Sequence, residues 1–221
     1  SSAASDVYKR QIEVFRQAGA IVLDPVELDM PEEASDAEYE VLLYEFKSDL
    51  NRYLADAGVD STVDTLADLI EFNRQQAAAV MPWFGQEIFV KAEAKGTLDD
   101  AAYKKALADS HVQVERLLAA LMSEHDLDAL LAPTNGPAWS TDLVHGDRWD
   151  GFVGSSSPAA ISGYPSITLP MGQIHELPIG ISIIGLPYTE DRLVGLAYAF
   201  EQRSGGWRPP GFPPSVEAPA E

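Results

Sequence analysis

The chain of 221 residues contains no cysteine. That excludes disulfides, thiol nucleophiles and zinc–thiolate centres. Basic residues are scarce: 15 Lys and Arg face 35 Asp and Glu, for a formal charge of −20. A field of that sign repels phosphate, so nucleic acid and anionic membranes are poor partners. No apolar run approaches the roughly 20 residues that a membrane-spanning helix requires. The sequence also lacks a G-x-S-x-G elbow, an H-E-x-x-H pair and a phosphate-cradling glycine loop. His111, His125 and His175 stand isolated, without metal-ligand spacing, so no metal is expected. What remains is 46% hydrophobic and 23% charged, ordinary for a soluble globular chain able to bury one core.

The order of elements reads as α/β. Tyr8, Ile12 and Phe15 recur at helical spacing and Gly19 suits a helix C-cap. AIVLDPVEL (20–28) reads as a short buried strand halted at Pro25. Tyr39, Leu42, Leu43, Phe46, Leu50, Tyr53 and Leu54 predict one apolar stripe on a helix. Thr65, with Asp68 three positions on, predicts the next helix start by a capping box. QEIFVKAEA (86–94) predicts a short helix, and Thr97 is expected to cap a long one running to about Glu124.

The character then changes. LDALLAP (127–133) predicts a strand, and a long polar loop follows. Ser157 and Pro158 are expected as N-cap and first residue of a short helix. PSITLP (165–170) and PIGISIIG (178–185) are β-branched runs, expected as neighbouring buried strands. A last helix opens near Thr189. The expected organisation is a non-native or disordered leader at 1–11, because SDVYKRQ looks like a translated adapter sequence. A partial domain at 12–204 follows, with a helical insert at 38–125 and a sheet-forming part at 127–204. A proline-rich tail occupies 205–221.

Ser155, Ser156 and Ser157 beside Gly154 invite a nucleophile reading, but Pro158 immediately after favours capping and packing. The lysines are Lys9, Lys47, Lys91, Lys95, Lys104 and Lys105, all on expected helices or their ends. None occupies a strand end, where a desolvated general base is expected, and Lys47 reads as a surface charge. A Ser–His–Asp hydrolase would need His145, oriented by Asp142, Asp147 or Asp150, within reach of a loop serine.

The segments LLYEFKSDLNRYL (42–54), TLADLIEFN (65–73) and GQEIF (85–89) resemble the helical insert of peptide-amidase-like members of the amidase signature family. LAPTNGPAW (131–139), SSPAAISGYPSITLP (156–170) and LPIGISIIG (177–185) resemble that family's late strands, and LAYAFEQ (196–202) its final helix. The resemblance implies the C-terminal part of the amidase-signature fold, a mixed β-sheet covered by helices. It implies hydrolysis of a carboxamide C–N bond to carboxylate and ammonia, with no cofactor. The substrate would be a small-molecule or peptide amide. The family's Ser–cis-Ser–Lys set matches no position here, so no catalytic residue is carried over and the chain is expected to be inactive alone. Its partner would be the N-terminal half. The alternative is a non-catalytic subunit or binding module that completes a cleft with another chain. Because this half of the family fold lines part of the cleft, and ligands sit at strand ends, Pro133, Thr134, Trp139, Ser155 and Ser156 are expected to bind substrate. Trp83 and Phe84 are expected to add an aromatic wall.

Overall fold

The strand Leu177–Ile184 is apolar on both faces, and the other elements are arranged around it. The structure, a computed structural model, describes residues 2–57, 63–147, 154–174 and 176–211. Among them the elements run α1 (Ser2–Gln17), α2 (Ala34–Asp56), α3 (Leu66–Gln75), α4 (Ala77–Val80), α5 (Glu87–Glu93) and α6 (Ala101–Leu107). A π-helical turn (Ala108–Val112) joins α6 to α7 (Gln113–Glu124). Then come β1 (Leu130–Pro133), α8 (Ser156–Ser162), β2 (Ser166–Ile174), β3 (Leu177–Ile184) and α9 (Glu190–Ser204). The described strands pair antiparallel in the order β1-β3-β2.

Successive side chains of a strand point to opposite faces. Ile179, Ile181 and Ile183 therefore share one face of β3, where they meet Leu169, Met171 and the helices α1 and α9. Phe15 of α1 stacks on Phe200 of α9 with ring centroids 4.7 Å apart. Ile184 points the other way and packs with Val114, Leu118, Ala159, Ile161 and Tyr164 from α7, α8 and the turn after α8. The two clusters make one helix–sheet–helix sandwich, the layered solution that buries both sheet faces.

β2 carries a bulge between Pro170 and Gly172. Gly172 has φ 146°, and a Cβ there would stand 3.1 Å from a Val7 methyl, so glycine fits where a side chain would not. At the bulge the Met171 carbonyl accepts a 2.8 Å hydrogen bond from Gln11 Nε2, which ties α1 to the sheet. Residues 2–11, read from the sequence as part of a leader, are the first ten residues of α1, with Val7 and Gln11 buried.

The remaining helices build a second, all-helical layer. Val41 and Tyr44 of α2 pack on Tyr103 and Ala106 of α6. Leu43 packs on Leu66, Ile70 and Ala92. The Thr65 capping box is present: its hydroxyl accepts the Asp68 amide, and the Asp68 carboxylate accepts the Thr65 amide. Lys47 is not a free surface charge. Its Nζ donates to the Glu93 and Lys95 carbonyls at 2.7 and 2.8 Å, closing the end of α5.

Several expectations change. Residues 20–28 form no strand; 21–27 make no backbone hydrogen bond among the described residues, and Ile21 is 93% exposed. A strand needs a neighbour to pair with, and no described strand lies beside this segment. The stripe expected on α2 is rotated: Leu42 and Tyr53 are exposed, whereas Val41 and Tyr44 are buried. The helix expected from Thr97 starts at Ala101 and is interrupted by the π turn. That wider turn brings His111 Nδ1 within 2.8 Å of the Ile161 carbonyl at the end of α8. Ser157 lies inside α8 and Ser155 is its N-cap residue.

Two outcomes follow from this packing. Phe200→Ala removes a buried ring from the stack and should cost about 3–5 kcal/mol, read by urea denaturation. Burial, and then the Glu45 carboxylate that accepts its hydroxyl at 2.7 Å, push Tyr103 up to about 12. The fold thus favours the protonated phenol. That contribution is complete below the unfolded value, near 10, and is lost as pH rises through the folded one. Thermal melts between about pH 9 and 12 should show a steeper decline for the wild type than for Tyr103→Phe.

Candidate functional site

The first hydroxyl of the site follows directly from the end of β1. The Thr134 amide donates to the Gly180 carbonyl at 2.8 Å, extending the β1–β3 ladder by one step. Backbone groups of an antiparallel strand alternate in direction. The backbones of Leu130, Ala132 and Thr134 therefore face β3, while those of Leu131 and Pro133 face the outer edge. A proline on that edge forfeits no ladder bond.

Ala132, Ser182 and Thr168 lie in register across the three strands. Thr134 Oγ1 is 2.7 Å from Ser182 Oγ, and Ser182 Oγ is 3.1 Å from Thr168 Oγ1. The two threonine hydroxyls are 3.4 Å apart. Gly180 leaves room for them, since a Cβ there would stand 2.8 Å from Thr168 Cγ2 and 3.0 Å from Thr134 Oγ1. Sequence reasoning missed Thr168 and Ser182. Their signal was a hydroxyl alternating with isoleucine in SIT and GISI, which places it on the face opposite the isoleucines.

The Thr134 carbonyl accepts the Ser155 amide at 3.2 Å, which draws the start of α8 to the end of β1. Ser155 is buried, and its Oγ has no partner among the described residues. Leaving a buried hydroxyl unmatched costs about 1–3 kcal/mol. Ser156 is exposed at the first position of α8. Pro133, Thr134, Ser155 and Ser156 thus converge. Trp139 lies on the following loop, 52% exposed. Trp83 and Phe84 belong to the helical layer between α4 and α5, 70% and 71% exposed. Phe84 there lines a cavity of about 290 Å³ with Val80, Ile88 and Phe89. No hydrogen bond or ring contact joins these three aromatics to Thr134 or Ser155 among the described residues.

A larger groove of about 1210 Å³ separates residues 19–30 from β1. Ile21, Leu23, Leu28, Leu131 and Ser155 are among its walls.

The charged groups are engaged elsewhere. Lys95 pairs with Glu40, Lys104 with Asp99 and Lys105 with Asp109, while Lys91 lies over the Tyr39 ring. No lysine is bonded to a serine hydroxyl among the described residues. His145 Nδ1 meets Asp142 Oδ2 at 3.0 Å. Asp142 also accepts the His145 and Val144 amides, and these bonds, the His145 amide first, hold its carboxyl below the ordinary range. This is a self-contained turn. No serine reaches His145 among the described residues, so the Ser–His–Asp arrangement is not formed; Asp150 and His175 lie outside the described residues. No group of three or more His, Asp or Glu capable of holding a metal occurs among the described residues. Nor is any described helix long and apolar enough to cross a membrane.

Comparison with known proteins adds the wider frame. The Amidase family model matches residues 1–194. A probable amidase of Arabidopsis thaliana is 34% identical over 94% of this chain and 38% of its own length. A glutamyl-tRNA(Gln) amidotransferase subunit of Clostridium botulinum is 31% identical over 86% of this chain and 39% of its own. The crystal structure of native peptide amidase from Stenotrophomonas maltophilia superposes with TM-score 0.83 at 40% identity, covering 95% of this chain and 42% of that one. The chain therefore spans about two-fifths of the length of these relatives.

Because Ser182 serves both threonines, Ser182→Ala should cost about 1–3 kcal/mol. Ser156→Ala, on an exposed hydroxyl, should stay within about 0.5 kcal/mol of wild type. Urea midpoints of the two variants check the difference.

Proposed function

We propose, from the premise that this chain belongs to the amidase family, that it forms the substrate-side portion of an amidase. The reaction is hydrolysis of a carboxamide C–N bond, with a small-molecule or peptide amide as substrate. The observation that carries the reading is the convergence of Pro133, Thr134, Ser155 and Ser156 at one sheet end beside an open groove. It is a site with hydroxyls and a wall, but without a lysine-activated serine. Its residues hold and orient a neutral amide rather than attack it.

The attacking serine, its cis-serine relay and the lysine base belong to the complementary part of the domain. There the serine oxygen adds to the amide carbon, the nitrogen leaves as ammonia with a relayed proton, and water frees the carboxylate. No metal or cofactor is required. Thr134, Ser155 and Ser156 supply polar contacts, Pro133 and Trp139 the apolar wall, and Trp83 and Phe84 an aromatic surface on the helical layer. The domain division follows the same logic: residues 38–125 form a helical insert and 127–204 the sheet-forming part. The alternative, in which a separate chain completes the cleft, is supported by the relative named as an amidotransferase subunit.

The test is ammonia release from a C-terminal peptide amide. The chain alone should show none. Mixed with the separately expressed N-terminal portion of the Stenotrophomonas peptide amidase, it should restore hydrolysis. In that mixture Thr134→Val should lower kcat/KM about tenfold, the loss of one hydrogen bond of roughly 1.4 kcal/mol. Hydrolysis by the chain alone would refute the proposal.

A further inference from the structure

We infer that the groove between residues 21–27 and β1 is a docking slot for one extended, uncharged β-strand of a partner polypeptide. The inference deepens the proposed function and rests on it for the partner's identity.

Both banks of the groove offer backbone to such a strand. On one bank, residues 21–27 make no backbone hydrogen bond among the described residues. On the other, β1 is an edge of the sheet order β1-β3-β2, and its alternation turns the Leu131 backbone outward. The Leu131 carbonyl accepts the Tyr8 hydroxyl at 3.2 Å, so its amide is the group that faces the groove for pairing. Exposed backbone edges are templates for an added strand, and main-chain pairing is the way such strands bind. A small-molecule ligand would leave these edges unpaired. Seven residues in extended conformation reach about 23 Å, which sets the length of the occupant.

The side chains specify its character. Ile21 and Leu23 project with 93% and 47% exposure on one bank, and Leu28 and Leu131 line the same groove. An apolar, β-branched strand would bury them. Asp24, Asp126 and Asp128 also line the groove, and the chain carries −20 overall. Acidic residues on the incoming strand would be repelled, so its middle is neutral and its flanks are neutral or basic. Ser155 gives independent support. It lines the same groove, is buried, and its Oγ lacks a partner among the described residues. A peptide carbonyl or amide of the docked strand supplies one. A second copy of this chain fits poorly, because it would bring the same acidic groove.

The experiment co-expresses the tagged chain with the N-terminal portion of the Stenotrophomonas peptide amidase and follows amide hydrogen exchange. Docking predicts co-purification with slowed exchange at 21–27 and at Leu131, while exposed loops such as 81–85 are unchanged. Ile21→Lys should weaken the complex at least tenfold. Because Ile21 is exposed, the melting temperature of the free chain should not change. A complex whose edges exchange as in the free chain overturns the inference, even if it hydrolyses amides. So does a failure to co-purify, or protection that arises from self-association of the chain alone. A complex with protected edges and no hydrolysis upholds the docking slot and refutes the functional reading instead.

Discussion

Burial of β3 on both faces and along both edges is the constraint on which the rest depends. Ile181 and Ile183 are completely buried, and burying each side chain is worth about 1.5–3 kcal/mol. That requires α1 and α9 on one side and α7 and α8 on the other, with β1 and β2 pairing the two edges. The aromatic stack of Phe15 on Phe200 and the Gln11 bond to the bulge at Met171 then fix α1 and α9 to the sheet. The same strand carries Ser182, buried between two isoleucines. A polar group is tolerable there because two threonine hydroxyls meet it.

The site inherits its geometry from that strand. Register brings Thr168, Ser182 and Thr134 into one polar patch where β1 ends, and the Ser155 amide closes on the Thr134 carbonyl. The patch lies beside the outer edge of β1, which no described strand pairs. Hydroxyls that position a neutral amide and an edge that awaits a strand are thus two aspects of one place in the fold. That juxtaposition fits a family whose members run more than twice the length of this chain.

Much of this is legible in the sequence, for local reasons. Thr65 and Asp68 announce α3 because a capping box involves residues only three apart. The β-branched runs at 165–170 and 178–185 announce β2 and β3 because alternation is intrinsic to a strand. Non-local features are where the reading fails. Residues 20–28 have the composition of a strand, but pairing depends on a neighbour that composition cannot supply. α2 is apolar on several faces, so periodicity alone could not choose Val41 and Tyr44 over Leu42 and Tyr53. One extra residue in the π turn shifts the helical phase without leaving a compositional trace. The motifs placed Pro133, Thr134, Ser155 and Ser156 near a cleft. Thr168 and Ser182 escaped because cross-strand register joins residues far apart in sequence.

The central claim is that this chain is one part of an amidase domain whose catalytic serines and lysine lie elsewhere. Sequencing the source gene upstream of Ile12 tests it most directly. The account predicts a continuous reading frame into a glycine- and serine-rich segment with a lysine further upstream. A genuine start codon adjoining Ser1, with no gene nearby for the complementary part, would contradict it.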